Sequence, residues 1–172
     1  MTTYQINILR FVLILAAQIL IFNFVRIRWA EIPFIEVLVY PIILFLLPLR
    51  TSESLLVLIG FLAGLIVDVF QNTPGVHSGA GAFSGLMRPY VINYLTPRGG
   101  YKINISPTIS AISFKWFSIY CAIMILFHTF AVSLIDIFQL KLLPYVLLRT
   151  ILTGVVSYVV IMITMIVFDP KS

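Results

Sequence analysis

Long apolar runs, separated by short polar turns, cover nearly the whole chain. A helix that crosses a bilayer needs roughly 20 apolar residues, and clusters of Pro, Gly or charged residues mark where each run ends. The expected fold is therefore all-α: a polytopic six-transmembrane-helix bundle that forms a single integral membrane domain over residues 1–172. The predicted spans cover about residues 8–25, 34–47, 53–70, 76–95, 108–134 and 143–168.

Two of these spans depart from a plain apolar pattern. The span at 34–47 is short and contains Pro41, with Pro48 after it, so we expect a kinked or shallow helix there. The span at 76–95 is rich in Gly, Ala and Ser and contains Arg88. Its low hydropathy is typical of a helix that packs inside a bundle, where small residues favour close contact.

Composition indicates that lipid is the solvent for most of the chain. Hydrophobic residues make up 61% and charged residues 10%, against about a quarter charged in a typical soluble domain. The mean hydropathy is +1.11. The net charge of +5 comes from scattered basic residues, which do not predict a nucleic-acid partner. The single Cys121 excludes an intramolecular disulfide and a Cys-based zinc site.

Loop charges favour an orientation with both termini in the cytoplasm. No small-residue cleavage site follows the first apolar run, so we expect that run to be a retained span. With six spans, the basic residues on the inner side outnumber those on the outer side. The inner set is Arg10, Arg50, Arg98, Lys102 and Lys171, and the outer set is Arg26, Arg28 and Lys141.

Two glycines and an acidic residue share one face of the third predicted helix. Gly60, Gly64 and Asp68 follow one another at intervals of four residues, which places them on one side of a helix. Small residues on such a face let a neighbouring helix approach closely in lipid. Asp68 is therefore expected to point at a neighbouring helix or loop and away from lipid.

The fourth predicted helix repeats this pattern with Gly81, Gly85 and Arg88, at intervals of four and three residues. The two small-residue faces can meet with Asp68 and Arg88 near the contact, although Arg88 lies on the order of 10 Å deeper. The pair is then either a structural pair or a ligand or proton site; buried membrane charges often pair, which favours the structural interpretation. A structural Asp68 is expected to tolerate the change to Asn.

The remaining polar residues within spans give weaker signals. Glu36 and Arg149 lie near predicted outer ends, where long side chains can snorkel to the interface. His77 lies near Asp68 in sequence, but Ser78 beside it lacks the context of a nucleophile elbow, and no metal-ligand spacing is present. His128 is interpreted as a satisfied residue of the bundle. The sequence therefore predicts no catalytic residue, cofactor or metal.

The segment Gly64–His77, GLIVDVFQNTPGVH, resembles the central signature of the rod shape-determining MreD family in the form found in Bacteroidota-like bacteria. In that signature, G-L-x-x-D-x-F leads into a turn with N-T-x-G-x-H. Asp68, Gly75 and His77 occupy the matching positions here. The segment 78–81 has small Ser and Gly residues where the family often has alanines, a departure that is conservative in size.

Two further segments, Leu86–Pro89 and Leu95–Tyr101, also resemble the family, and the length and six-span plan extend the resemblance over the whole chain. The resemblance implies a non-enzymatic component of the cell-elongation machinery in the inner membrane, needed for rod shape and organised peptidoglycan synthesis. The implied partners are membrane lipid and an MreC-like protein, with MreB, RodA and a transpeptidase as further partners. The implied fold is similar to that of the substrate-binding components of energy-coupling vitamin transporters.

Two other functions remain open at this point. A substrate-binding membrane component of a vitamin-uptake transporter would have a polar, vitamin-sized pocket that opens outward. A small membrane enzyme acting on lipid would need clustered carboxylates or histidines, whereas the six acidic residues are scattered. The residues expected to pack helices or meet a partner are Gly60, Gly64, Asp68, Gly75, His77, Gly81, Gly85 and Arg88.

Overall fold

The computed structural model describes residues 3–29, 32–101 and 105–168, and most of them are helical. The helices are α1 (Thr3–Leu20), α2 (Ile42–Phe45), α3 (Glu53–Gln71), α4 (Val76–Tyr94), α5 (Phe114–Ile137) and α6 (Leu143–Phe168), with short 3-10 turns at Phe22–Phe24 and Leu140–Leu142. The strands β1 (Arg26–Trp29) and β2 (Ile32–Glu36) pair in antiparallel orientation. Lys102 and Lys171, which enter the predicted charge balance, lie outside the described residues.

Among the described residues, α3, α5 and α6 are long and apolar enough to cross a membrane. They contain 19, 24 and 26 residues, against the roughly 20 that a span needs. Helix α4 also has 19 residues, but its Gly, Ser and Arg residues lower its hydropathy. Nine of its residues are buried. The protein is therefore a membrane-embedded helical protein, and α4, the least apolar of its long helices, packs against both α3 and α5.

Helices α3 to α6 pack against one another in chain order, each antiparallel to the next. Gly60 of α3 faces Gly81 of α4, and Arg88 of α4 contacts Tyr120 of α5. At the far end of α5, Asp136 contacts Arg149 in the second turn of α6. The ends of α3 and α5 therefore lie at the same end of the bundle as the starts of α4 and α6.

The predicted helix over residues 34–47 is wrong. The chain there leaves β2, has no regular secondary structure over 37–39, turns at Tyr40 and Pro41, and forms only the single turn of α2. Every residue from Glu36 to Phe45 is buried. Pro41 has no N–H to donate and stands at the start of α2, where none is needed. Within the hydrocarbon region of a membrane, irregular backbone is tolerated only when protein surrounds it.

Among the other predicted helices, only α1 and α5 differ from the observed bounds by more than one residue. Helices α3, α4 and α6 begin at the predicted residues, whereas α1 begins earlier than predicted and ends at Leu20. Helix α5 begins at Phe114 and not at Thr108, because Ser113 is its N-cap and accepts a hydrogen bond of 3.2 Å from the Trp116 amide.

Candidate functional site

The backbones of α3 and α4 touch along the predicted small-residue faces. A Cβ added to Gly60 would overlap the carbonyl of Gly81, and a Cβ added to Gly81 would overlap Gly60 in return. One helical turn away, a Cβ on Gly85 would lie 2.6 Å from the carbonyl oxygen of Leu56. Even alanine does not fit at these positions, so the two helices can pack this closely only with glycine there.

The carboxylate of Asp68, which is 3% exposed, binds the N-terminus of α4. Its Oδ1 accepts hydrogen bonds from Thr73 Oγ1 at 3.0 Å and from the amide of His77 at 2.9 Å. Its Oδ2 accepts from the Gly75 amide at 3.2 Å, the Ser78 amide at 2.9 Å and Ser78 Oγ at 2.8 Å. Unpaired amide groups at the start of a helix favour a negative charge, so α4 is capped by a side chain of α3.

The turn between α3 and α4 brings these groups to the carboxylate. Asn72 ends α3 in the left-handed conformation with φ of 56°, and Gly75 precedes α4 with φ of +90°. Asn and Gly are the residues that adopt this conformation at least cost. Because a Cβ on Gly64 would overlap the carbonyl of His77, the start of α4 lies directly on the glycine face of α3. Asp68 is on the same face, so it points into the bundle.

The buried ring of His77 joins this turn to residues 36–45, here called the irregular segment. It stacks on Tyr40, with ring centroids 5.9 Å apart and an interplanar angle of 13°. Its Nε2 lies 2.8 Å from Gln71 Oε1, and its Nδ1 lies 3.9 Å from the Asp68 carboxylate. The contacts of His77 therefore pack the turn against Tyr40 and the end of α3.

Arg88 belongs to a different cluster, in the other half of the bundle. Its guanidinium, fully buried, donates from Nε to Tyr120 Oη at 2.9 Å. Its Nη2 donates to the carbonyls of Leu47 and Phe45, and its Nη1 to the carbonyl of Pro48 at 3.5 Å. These carbonyls lie at and beyond the end of α2, where helices leave acceptors without partners. Arg88 therefore anchors the end of the irregular segment that contains α2 to α4.

The hypothesised contact between Asp68 and Arg88 does not form. Both residues lie in the described part of the chain, and their hydrogen-bond partners are entirely different. Asp68 meets the start of α4, whereas Arg88 lies about three turns further along that helix. Each charge is compensated by backbone groups nearby, so neither needs the other.

Polar side chains from distant helices satisfy backbone groups of the irregular stretch over 37–39. Gln18 of α1 donates through Nε2 to the Val37 carbonyl at 2.9 Å and accepts from the Val39 amide at 2.7 Å. Ser157 of α6 accepts from the Leu38 amide at 2.9 Å. Buried backbone groups without partners would be costly in lipid, so these two side chains allow the segment to cross the bundle.

Hydrogen bonds beside this segment connect Tyr40, His128 and Ser84. Ser84 donates to the Ala80 carbonyl at 2.9 Å, and its Oγ lies 2.9 Å from Nδ1 of His128. Tyr40 Oη donates to the His77 carbonyl at 3.3 Å and lies 2.8 Å from Nε2 of His128. Both ring nitrogens of His128 therefore have a hydrogen-bond partner, as expected for a satisfied residue of the bundle. The cavity beside Tyr40 and His128 has a volume of about 10 Å³, room for about one water.

Three charged side chains meet at the end of the bundle that also contains Asp68. Arg149 of α6 donates to Glu36 at 2.8 Å and to Asp136 of α5 at 2.6 Å. Arg149 and Glu36 are 1% and 3% exposed, so the expectation that they snorkel to the interface is wrong. The sequence contains one signal for this cluster, which is the presence of charged residues in apolar runs. It could not indicate which residues pair, because Glu36 and Arg149 are 113 positions apart.

The structure thus separates the predicted residues into two groups. One interface between α3 and α4 contains Gly60, Gly64, Asp68, Gly75, His77, Gly81 and Gly85. Arg88 joins a second cluster with α2 and α5. Residues whose partners the sequence did not predict are Gln18, Tyr40, Ser84, Tyr120, Asp136 and Ser157.

Within the described ranges, no three His, Cys, Asp or Glu side chains come together as potential metal ligands. Comparisons with protein-family models, with curated proteins and with solved structures find no match to this chain. The site must therefore be interpreted from its own geometry, which is that of a tightly packed helix pair capped by one carboxylate.

Proposed function

We propose that this protein is a non-enzymatic scaffold of the bacterial cell-elongation machinery in the inner membrane. In this role it supports rod shape and organised peptidoglycan synthesis by presenting helix faces to an MreC-like protein and to other elongation proteins. The proposal starts from the resemblance of Gly64–His77 to the MreD signature. The structure supports the proposal through the contacts that this segment makes between α3 and the start of α4.

One observation carries the proposal: a single carboxylate gathers the signature residues into one rigid unit. Asp68 accepts from Thr73, Gly75 and His77, which are all positions of the signature, and the turn closes onto Gly64. A carboxylate has about four acceptor sites, and five donors already point at this one. It therefore has no capacity left for a ligand or a mobile proton, which favours a structural role.

The polar centre of the bundle is too small for the transporter alternative. Pockets for small molecules have volumes of about 300–1,000 Å³. The cavity beside Tyr40 and His128 has a volume of about 10 Å³. Their polar groups bind one another or the backbone, which again suits a protein that packs helices and not one that captures a vitamin at this place.

The proposed topology keeps six crossings with both termini in the cytoplasm, and the second crossing is the irregular segment. That segment starts at Glu36, beside Arg149, and ends near Phe45, beside Arg88, in the opposite half of the bundle. Labelling of single cysteines in intact cells tests the topology, with Cys121 replaced by Ser. Lys141→Cys is expected to react with a membrane-impermeant reagent, and Arg98→Cys is not; the reverse result would contradict the topology.

The function is tested by purification of the full chain in mild detergent together with an MreC-like protein from the same cell. We expect the two proteins to copurify, and we expect cells that lack this chain to lose rod shape. A Gly60→Leu variant should neither copurify with the partner nor restore rod shape to those cells, because the substitution separates α3 from α4. Gly99→Leu is the matched control, since an added Cβ there meets no atom within 4 Å. Normal rod shape in cells that lack the chain would reject the proposal.

A further inference from the structure

A groove runs along the surface of the α3–α4 pair, and its volume is about 570 Å³. It extends over two turns of α3, a length of about 12 Å. Its walls are mostly apolar, with one carboxylate and one hydroxyl at one end. The lining residues are Glu53, Ser54, Val57, Leu58 and Phe61 of α3, and Ala82 and Leu86 of α4.

The close approach of α3 and α4 shapes this groove for another helix. On α3, Ser54, Val57, Leu58 and Phe61 recur at intervals of three, one and three residues, which is one continuous helix face. Leu58 and Phe61 are 52% and 41% exposed, and Leu86 on the opposite wall is 44% exposed. Side chains at this spacing, on two touching helices, match the ridge of a third helix.

Charge at one end of the groove indicates the kind of occupant. Glu53 is exposed and makes no hydrogen bond or ion pair with any residue that the structure describes. In the proposed topology this end lies at the cytoplasmic surface, where membrane helices carry an excess of Lys and Arg. A basic residue at the inner end of a partner helix would meet this carboxylate. An anionic lipid headgroup at the same level would be repelled by it.

We propose that this groove binds one transmembrane helix of a partner protein that carries Lys or Arg at its cytoplasmic end, with that cation paired to Glu53. The inference rests on the scaffold function proposed above and names the face that the scaffold uses. Phe61 and Leu58 supply the apolar contact in the middle of the groove, and Glu53 sets the depth and direction of the bound helix.

Photo-crosslinking in living cells tests the contact, with the transmembrane helix of the MreC-like protein as the probe. Benzoylphenylalanine is placed at Leu58 or Leu86 in the full chain, one variant at a time. Matched controls carry it at Val155 and Ile163 of α6, which are 55% and 56% exposed on another face. We expect adducts with the partner helix from the two groove positions and none from the two controls.

A charge exchange then tests the ion pair. Glu53→Lys should lower the adduct yield by up to about fivefold, the size of an exposed ion pair. Replacing the basic residue of the partner by Glu should restore the yield. A purely local effect of Glu53 on the first turn of α3 would not be restored in this way. If Glu53→Lys does not accumulate, Glu53→Gln combined with neutralisation of the partner's cation replaces it.

Several results would overturn the inference. They are groove adducts with lipid or with a second copy of this chain, equal yields at the α6 controls, and an unchanged yield in Glu53→Lys. If the MreC-like protein copurifies but crosslinks only from other faces, the groove assignment fails and the scaffold function stands. If the partner does not copurify and cell shape is normal without the chain, the scaffold function itself fails.

Discussion

Asp68 and Arg149 are buried charges at the same end of the bundle, and the protein compensates them in different ways. Asp68 is surrounded by amide and hydroxyl donors from the turn and the first residues of α4. Arg149 instead contacts two carboxylates, Glu36 and Asp136, that come from β2 and α5. One charge is met by the dipoles of a helix end and the other by opposite charges.

This difference predicts different consequences when a charge is removed. Backbone donors around Asp68 stay in place whatever residue replaces it, so its loss leaves unsatisfied groups in the turn. Loss of Arg149 removes the cation that lies 2.8 Å from the buried carboxylate of Glu36. Arg88 resembles Asp68, because its charge is also compensated by uncharged groups. Carbonyl groups and the hydroxyl of Tyr120 surround its guanidinium.

The largest effect is expected for Arg149→Met. It removes the cation between Glu36 and Asp136, and breaking a buried ion pair in this way costs about 3–5 kcal/mol. The measurement is the thermal unfolding of the purified protein in detergent. The double variant Arg149→Met with Glu36→Gln should recover part of the lost stability. Arg98→Met, in an exposed loop, is the control and should leave the unfolding temperature unchanged. Equal stability of the single and double variants would mean that the cluster is not charge-compensated.

A smaller but still large effect is expected for Gly64→Ala. The added Cβ would overlap the carbonyl of His77, so the start of α4 must move away from Asp68. Overpacking of this kind costs about 1–3 kcal/mol. Thermal unfolding in detergent measures it, with Gly99→Ala as the control that has open space. A stable Gly64→Ala variant would contradict the close backbone contact on which the Asp68 cap depends.

Asp68→Asn is expected to destabilise the protein by about 1–3 kcal/mol. The NH₂ group of the asparagine would face hydrogen-bond donors that, in the original protein, donate to a carboxylate oxygen of Asp68. This changes the sequence-based expectation that a structural Asp68 tolerates Asn. Both oxygens of Asp68 accept hydrogen bonds, so no rotamer of Asn spares the turn. Unfolding in detergent and the amount of protein in the membrane are the measurements.

Thr73→Ala is the milder comparison for Asp68→Asn, since it removes only one of the five donors. The loss of stability in Thr73→Ala should therefore be smaller than the loss in Asp68→Asn. A variant with Asn at 68 that accumulates and unfolds like the original chain, yet fails to support rod shape, would contradict the structural role. The carboxylate would then belong to a charge-dependent site.

The smallest effect is expected for Arg88→Lys, at about 1 kcal/mol. Lysine keeps the charge, but its compact ammonium cannot reach Tyr120 and the carbonyls beyond α2 at the same time. Arg88→Met should cost more, because it also leaves those carbonyls without a donor. Comparison of the two variants by thermal unfolding separates the geometry of the guanidinium from its charge. Equal losses would mean that the fork geometry contributes nothing.

The sequence by itself determined the long helices and the face on which α3 meets α4. Helices α3, α4 and α6 begin at the predicted residues, because helical hydrogen bonds are local and the apolar runs are long. The interval of four between Gly60, Gly64 and Asp68 placed all three on the interface for the same local reason. The Asp68 side chain therefore points inward as predicted.

Only the tertiary structure decided the path of residues 34–47 and the partners of the buried charges. Hydropathy cannot distinguish an apolar helix from an apolar irregular segment, since the difference lies in where the backbone hydrogen bonds go. Here they go to Gln18 on α1 and Ser157 on α6. Glu36 likewise meets a cation 113 positions away. Such long-range contacts exist only after the helices have packed, so no local pattern in the chain could predict them.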